Sequence, residues 1–559
     1  MIHSRPRSRR LFALLLPVVL LAGACGGKKG GDEVEAGDPV RGGSITMGIE
    51  AETGDGWCLQ EAQLAISGIM VARTIYDTLT VPNADGEYVP YLAEDVQPND
   101  DYTQWTITLR EGVKFHDGSD LTAEVVRNNL DAYRGVVGSS TAETVTPHPT
   151  REPLLFLFVM DNIDNVEVTG DLEVTVTTKV PWVAFNAFLY SSGRLGITAQ
   201  AQLDDTSDCS SNLIGTGPFM LDDWQENRQL RAVANPDYWQ EAPDGKPYPY
   251  LDEIVFQPMI ESEQRVNALE NGDIDLGHFS GAPDLQAIRS LSEDGVLRNY
   301  ESNDFGELAF IQINNSRPPF DDARVRRALA LTVDPEDYTE VINRGEFEMA
   351  QGPFGPGSPA YLDDTAFPDG QDLEEARALL DEYEAENGPI RTFTYQATPG
   401  TLTQETATYI QQQLRKIDLD IELDTVQQDA LIDNAIQGNF DIMGFRNYPG
   451  GDPDELYVWF KGGSPVNFSR FNDEDINRLL DEGRSEPNPD ARADIYKEIN
   501  EIMGEQVYSV WANFTTWMIG SQPNVFGYDP ETFPALPNGD QPLPGLAAGF
   551  PTYGLWIAD

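Results

Sequence analysis

Two stretches far apart in the chain repeat one local design. Ile254-Val255-Phe256 is a short apolar strand, followed by a helix that ends at Ala268-Leu269-Glu270-Asn271, then Gly272, then Ile274-Asp275-Leu276. Far downstream, Ile421 to Val426 is followed by a helix that ends at Ala435-Ile436-Gln437, then Gly438, then Phe440-Asp441-Ile442-Met443. A glycine after the last helical residue accepts the left-handed cap conformation without a Cβ penalty and sends the chain back into the next strand. Strand–helix–strand crossovers of this kind build parallel sheet. Two of them predict two similar α/β lobes. Ligands of open α/β sheets sit beyond the carboxyl ends of the strands, which points to the residues just after Leu276 and just after Met443.

Other elements read from periodicity. Ser44 to Ile49 and Thr103 to Arg110 alternate as strands with one buried face. Val166 to Val168, a Thr169-Gly170-Asp171 turn and Leu172 to Thr177 read as a hairpin. Asp372 to Glu384 and Gln404 to Ile417 carry apolar residues at helical spacing. Pro530 to Pro551, rich in proline and glycine, reads as an irregular wrap over a domain surface.

The N-terminus reads as an export signal. Arg5, Arg7, Arg9 and Arg10 precede the apolar run Leu11 to Leu21, which is short for a membrane span and suited to a signal-peptide core. Ala22-Gly23-Ala24-Cys25 follows and resembles a bacterial lipobox, with Ala22 where leucine is usual. The expectation is a signal peptide over residues 1–24, lipidation of Cys25, and a flexible linker over 25–41; the alternative is plain cleavage near Ala24. Cys58 and Cys209 are the other two cysteines, and an even pair in an exported chain favours a disulfide over two buried thiols. The formal net charge of −56 is spread along the chain and repels nucleic acid and anionic lipid. A solubility role for this acid is favoured over attraction of a cationic solute.

Catalytic signatures are missing. There is no G-x-S-x-G, no H-E-x-x-H and no G-x-x-x-x-G-K-[ST]. Gly215-Thr216-Gly217 lacks the third glycine of a dinucleotide loop, and His116, His148 and His278 are far apart. No enzyme activity, metal or cofactor is expected.

Several blocks in order resemble the family 5 extracellular solute-binding proteins, the group with the oligopeptide-, dipeptide- and nickel-binding components of ABC importers. They are Gly42-Gly43-Ser44-Ile45; Thr74 to Leu79 with Asp85-Gly86 and Pro90 to Glu94; Trp105 to Gly118 with Leu121 to Val126; Ile214 to Phe219; Asn235 to Trp239; Pro319 to Leu329; and Asp452-Pro453-Asp454. Each block reads as scaffold: His116 satisfying a local hydrogen bond, Gly215 and Gly217 fitting backbone turns, Trp239 in the core. The resemblance implies an α/β fold, a two-lobed periplasmic-binding-protein-like clamshell of type II with an extra subdomain on lobe 1. Lobe 1 would span 42–307 with the subdomain at about 82–200, lobe 2 would span 308–514, and 515–559 would return to lobe 1. The implied function is capture of a small solute, peptide or peptide-like, for import by permease subunits, as a monomer anchored outside the cell membrane. Alternatives are an oligosaccharide or metal chelate on the same scaffold, or a surface sensor or chaperone; an exported hydrolase is disfavoured.

Peptide-binding members hold the peptide amine with an aspartate in a W-x-x-D-like stretch before D-P. Here Arg446 stands at the tryptophan position and Pro449 at the aspartate position, and proline cannot pair with an ammonium. Arg446 could offer a planar fork to a carboxylate or phosphate, or form an interlobe salt bridge. Asp452 is expected to cap the helix starting at Pro453. Position nominates Arg446, Asn447, Tyr448, Trp511, Asn513, His278, Phe279, Trp57 and Ser67 for the cleft, because such clefts combine aromatic faces with a few polar anchors.

Overall fold

The computed structural model describes residues 36–51, 56–62, 64–136, 155–205, 209–304, 306–547 and 549–558. The signal segment, Cys25, most of the linker and His148 lie outside the described residues.

Three main sheets organise the chain. The first has seven strands in the order Arg298–Ser302, Trp517–Ser521, Leu276–Phe279, Ser44–Ile49, Glu253–Pro258, Gln229–Ala234 and Phe219–Gln225. Ser44–Ile49 runs parallel to both its neighbours, so three strands end on the same side. The second sheet has five strands: Ile421–Thr425, Phe393–Ala397, Ile442–Asn447, Leu308–Ile313 and Ser509–Phe514. Its first three are parallel and its last two antiparallel. The third is an antiparallel sheet of Ala93–Pro98, Gln104–Leu109, Glu173–Thr178 and Ile163–Gly170. Its last two strands form the expected hairpin, longer than the alternation suggested.

The repeated design forms as read. Helix Ser262–Asn271 ends at Gly272 with φ 76°, and helix Gln428–Gln437 ends at Gly438 with φ 70°, both left-handed. Helices Leu373–Asn387, capped by the Asp372 carboxylate, and Thr401–Arg415 cover the five-stranded sheet. Their apolar faces and the sheet bury Ala376, Leu380, Phe393, Tyr395, Ile410 and Leu414 as one core. Each such side chain contributes roughly 1.5–3 kcal/mol by leaving water.

The chain passes from the seven-stranded to the five-stranded sheet between Ser302 and Leu308, and returns between Phe514 and Trp517. The two passages lie side by side: Thr515 N–H donates to the Glu307 carbonyl at 2.9 Å, and Leu308 pairs with Phe514. Cys58 and Cys209 are joined as a disulfide with Cα atoms 5.3 Å apart. The bond ties the chain before the four-stranded sheet to the chain after it, and Trp57 N–H donates to the Ser210 carbonyl at 2.9 Å alongside. Beyond Phe526 the chain is mostly irregular, as its proline and glycine content suggested. It is pinned where Arg73 donates to the Gly549 carbonyl at 3.2 Å and Tyr300 to the Pro544 carbonyl at 2.8 Å.

Four of the motif blocks meet at one buried carboxylate. Asp77 accepts from Thr216 Oγ1 at 3.0 Å, Tyr238 OH at 3.3 Å and Trp239 Nε1 at 3.0 Å. Burial, only partly offset by these donors, pushes its pKa up to about 6. Beside it, a Cβ on Gly217 would fall 2.6 Å from the Ile75 carbonyl, so only glycine fits. His116 closes the same corner: Nε2–H donates to the Gly217 carbonyl at 3.0 Å while Nδ1 accepts from Gly215 N–H at 3.2 Å. Burial holds its pKa down at about 4.

Candidate ligand cleft

The parallel strands of the two sheets deliver their carboxyl ends to one place. Strand Ser44–Ile49 is followed by Glu50 and strand Leu276–Phe279 by Ser280, while strand Ile442–Asn447 carries Arg446 next to its last residue. Arg446 spans the gap. Its Nη1 donates to Ser280 Oγ at 2.8 Å, its Nη2 donates to Glu50 Oε2 at 3.2 Å, and it pairs with Glu307 on the passage between sheets at 3.6 Å. Ser280 Oγ in turn donates to Glu50 Oε1 at 2.7 Å. Buried Arg265 holds the other side of Glu50 at 3.4 Å and donates to the His278 carbonyl at 3.0 Å. Trp517 Nε1 donates to Glu307 Oε2 at 3.1 Å. The Trp517 ring stacks on His278 with centroids 4.2 Å apart and lies 5.5 Å from the Arg446 guanidinium.

Electrostatics follow from these contacts. Burial would raise the Glu50 pKa, but Arg446 and Arg265 outweigh it and hold the group below the usual carboxylate range. Glu307 is raised: its burial exceeds the help it receives from Arg446. Burial works against the Arg446 charge, and Glu307 and Glu50 more than compensate, raising its pKa. Burial drives His278 down to about 3, so the ring stacked on Trp517 is neutral.

Of the nominated residues, four surround this crossing. Arg446 is its centre, and His278 forms part of the floor. Ser67 Oγ accepts from the N–H of Ala51, next to Glu50, at 3.3 Å. Buried Tyr448 lies against the passage, where a Cβ on Gly306 would fall 2.7 Å from its ring. Asn447 is half-buried opposite Leu308. Asn513 is buried and donates to the Phe514 carbonyl at 3.1 Å. The other three belong to cores, which corrects the expectation that they line the cleft. Phe279 packs with Leu269, Leu285 and Ile288 behind the seven-stranded sheet. Trp511 packs 5.5 Å from Phe310 within the second body. Trp57 is edge-on to Trp224 at 6.2 Å beside the disulfide. Position after a strand end or before a helix does not say on which side a side chain points, so these three aromatics were nominated for the cleft although they pack in cores.

Glu50, Ser280, Glu307 and Trp517 were not anticipated. Glu50 had a signal: it follows the strand end that lies between the two others. Glu307 and Trp517 sit on the passages, and no local pattern marks them.

A second contact joins the four-stranded sheet region to the second body. Asp454, fully buried, accepts from Trp182 Nε1 at 2.8 Å, from Arg484 Nε at 3.1 Å and from Tyr496 OH at 3.3 Å. The Arg484 guanidinium lies 3.5 Å from the Tyr457 ring centroid and 4.8 Å from that of Trp182. Asp452 caps the turn at Pro453 in a capping box with Glu455, as expected. Tyr88 OH donates to Glu455 Oε2 at 3.0 Å, and Ser192 Oγ to the Pro449 carbonyl at 2.7 Å. Pro449 thus contributes a backbone acceptor and no anion. Both contacts link the part of the chain that carries the five-stranded sheet to the part that carries the other two.

The model of the bacterial extracellular solute-binding proteins, family 5 Middle, matches residues 87–468. The probable D,D-dipeptide-binding periplasmic protein DdpA of Escherichia coli K12 is 25% identical over 447 residues, covering 78% of this chain and 81% of DdpA. The oligopeptide-binding protein AppA of Bacillus subtilis, solved with a nonapeptide, aligns with a TM-score of 0.77 at 20% identity, over 93% of this chain and 100% of AppA. The binding protein AgaA of A. tumefaciens R10, solved with agropinic acid, aligns with a TM-score of 0.77 at 24% identity, over 92% of this chain and 99% of AgaA.

Proposed function

Because the chain belongs to the bacterial extracellular solute-binding proteins of family 5, and is therefore the binding component of an ABC importer and not an enzyme, we propose that it captures a small peptide-like solute where the two parallel strand ends meet. The observation that carries this reading is the meeting of Glu50, Ser280 and Arg446 across the gap between the two sheets. The bodies that close are residues 42–307 with 515–559, and 308–514, with the region of about 82–200 riding on the first. The crossing at Glu307 and Thr515 is the hinge, and the solute joins the two bodies only when they are shut, which shifts the population toward closure.

The peptide-like class is supported by what DdpA and AppA are described as binding. Native mass spectrometry of the protein as isolated tests it. A ladder of co-purified short peptides, or one peptide-like mass, supports the assignment. A single sugar or metal-chelate mass overturns it in favour of that solute on the same scaffold.

The reading includes export and lipid attachment at Cys25, with the protein working as a monomer. Support comes from the basic and apolar leader, Ala22-Gly23-Ala24-Cys25 and the glycine- and lysine-rich tether. No helix among the described residues is long and apolar enough to cross a membrane. Incorporation of a labelled fatty acid into the wild type but not into Cys25→Ser is the expected result. Equal labelling of both, or of neither, would refute lipidation at Cys25.

A further inference from the structure

We propose that Arg446 sets the chemical class of the solute: it selects a molecule whose carboxylate docks on the guanidinium at the cleft floor. The inference rests on the capture reading above and adds to it the group that is recognised.

Exposure separates the guanidinium from the acids that hold it. The Arg446 side chain is 43% exposed, against 18% for Glu50 and 4% for Glu307. Of the three charged side chains, the arginine is the one that solvent reaches most. In a chain of net charge −56, the two arginines and two carboxylates of this crossing sum to zero.

Donor counting gives the same answer. A guanidinium has five N–H donors in a planar fork. Arg446 uses one on Ser280 Oγ and one on Glu50 Oε2, while its Glu307 contact at 3.6 Å is an ion pair beyond hydrogen-bond range. Three donors are left over among the described residues, on the group whose surface is accessible. A guanidinium with donors to spare can grip the two oxygens of a carboxylate through parallel N–H···O bonds.

The site is also fixed in advance. Glu50 is held by Arg265 and Ser280, Glu307 by Trp517, and Trp517 by its stack on neutral His278. A side chain fixed by three partners loses little rotamer freedom when a ligand arrives, so more of the new interaction appears as affinity. A latch that served closure alone would use the same Glu50 and Ser280 contacts. It would not need the accessible edge, and affinity for matched ligands separates the two roles.

The experiment measures binding by calorimetry and thermal shift with a panel of dipeptides, tripeptides and N-acyl amino acids, each as free acid and as its carboxamide. For the wild type the free acids are expected to bind about ten- to a hundredfold more tightly than their amides, the range of a charge-assisted hydrogen-bonded contact. In Arg446→Gln the preference should collapse to within about threefold. In Arg446→Lys, which keeps the charge and loses the fork, it should be intermediate. Circular dichroism melts of both variants establish that they fold, and if Arg446→Gln does not, the lysine variant carries the comparison. Equal binding of acids and amides by the wild type, or a preference that survives in the variants, overturns the role of Arg446 and leaves solute capture standing. Failure of every panel member to bind the wild type counts against the peptide-like reading itself, and the inference falls with it.

Discussion

At the scale of single residues, the structure places charges where removing one partner is costly. Asp454 and Arg484, both within residues 308–514, are 0% and 4% exposed and pair at 3.1 Å beside the contact that Trp182 makes with Asp454. Asp454→Ala strands the guanidinium in a dry setting, and a stability loss of about 3–5 kcal/mol is expected in urea melts. A loss below about 1 kcal/mol would mean that water reaches Arg484 unaided. His278 gives a pH prediction. Its folded pKa of about 3 lies below its ordinary 6.5, so the unfolded chain takes up the proton first as the solution is acidified. Its contribution to stability is fully present above about pH 6.5 and is lost as pH falls toward 3. His278→Gln should therefore flatten the acid limb of stability against pH by up to about 1.4 kcal/mol per pH unit. An unchanged slope would show that the ring is already neutral and equally buried in the unfolded ensemble. Residue chemistry of this kind was only partly legible in the sequence. Arg446 was nominated and its two roles named, because it ends a strand where an aromatic was expected. Glu307 and Trp517 could not be read, since their importance comes from two passages that meet only in the folded chain.

At the scale of elements, local rules were strong wherever glycine, proline or a cap residue marked a boundary. Gly272 and Gly438 both take left-handed conformations, and both were readable from the helix patterns they terminate. Their surroundings differ. A Cβ at Gly272 meets open space, whereas at Gly438 it would collide with the Arg470 guanidinium. Gly272→Ala is expected to cost about 1 kcal/mol from backbone strain alone, and Gly438→Ala distinctly more. Equal costs in paired denaturant melts would mean that Arg470 moves aside freely. Faces of strands were the weak point. Phe279 and Trp511 were nominated by position, yet each packs into a core, because a strand packed on both sides gives the sequence no marker of inside against cleft. The Cys58–Cys209 bond acts on elements too. It closes a loop of 151 residues, and in the chain-entropy account its removal by Cys58→Ser with Cys209→Ser costs about 5 kcal/mol at most. Melts of the double variant against the wild type check this, and an unchanged midpoint would show that the bond is dispensable for the folded state.

At the scale of the whole molecule, the two bodies of the proposed function meet at Arg446 on Glu50 and Ser280, and at Asp454 on Trp182. Opening breaks both. A captured solute should hold the bodies shut and add about 2.7 kcal/mol of stability at a concentration of one hundred times its Kd. Small-angle scattering should then show the radius of gyration falling on solute addition. No change in either quantity would mean that the bodies stay shut without cargo. The motif blocks say little about that cargo, because four of them converge on Asp77 and none supplies Arg446, Glu50 or Ser280. They declare the architecture and leave the solute to residues that no motif covers. The paired passages have a mechanical consequence. Glu307 and Thr515 are hydrogen-bonded neighbours, and Leu308 faces Phe514. As the proposed hinge, these neighbouring passages make opening a rotation about one place, and one pair of spectroscopic labels, one on each body, is the probe that follows it.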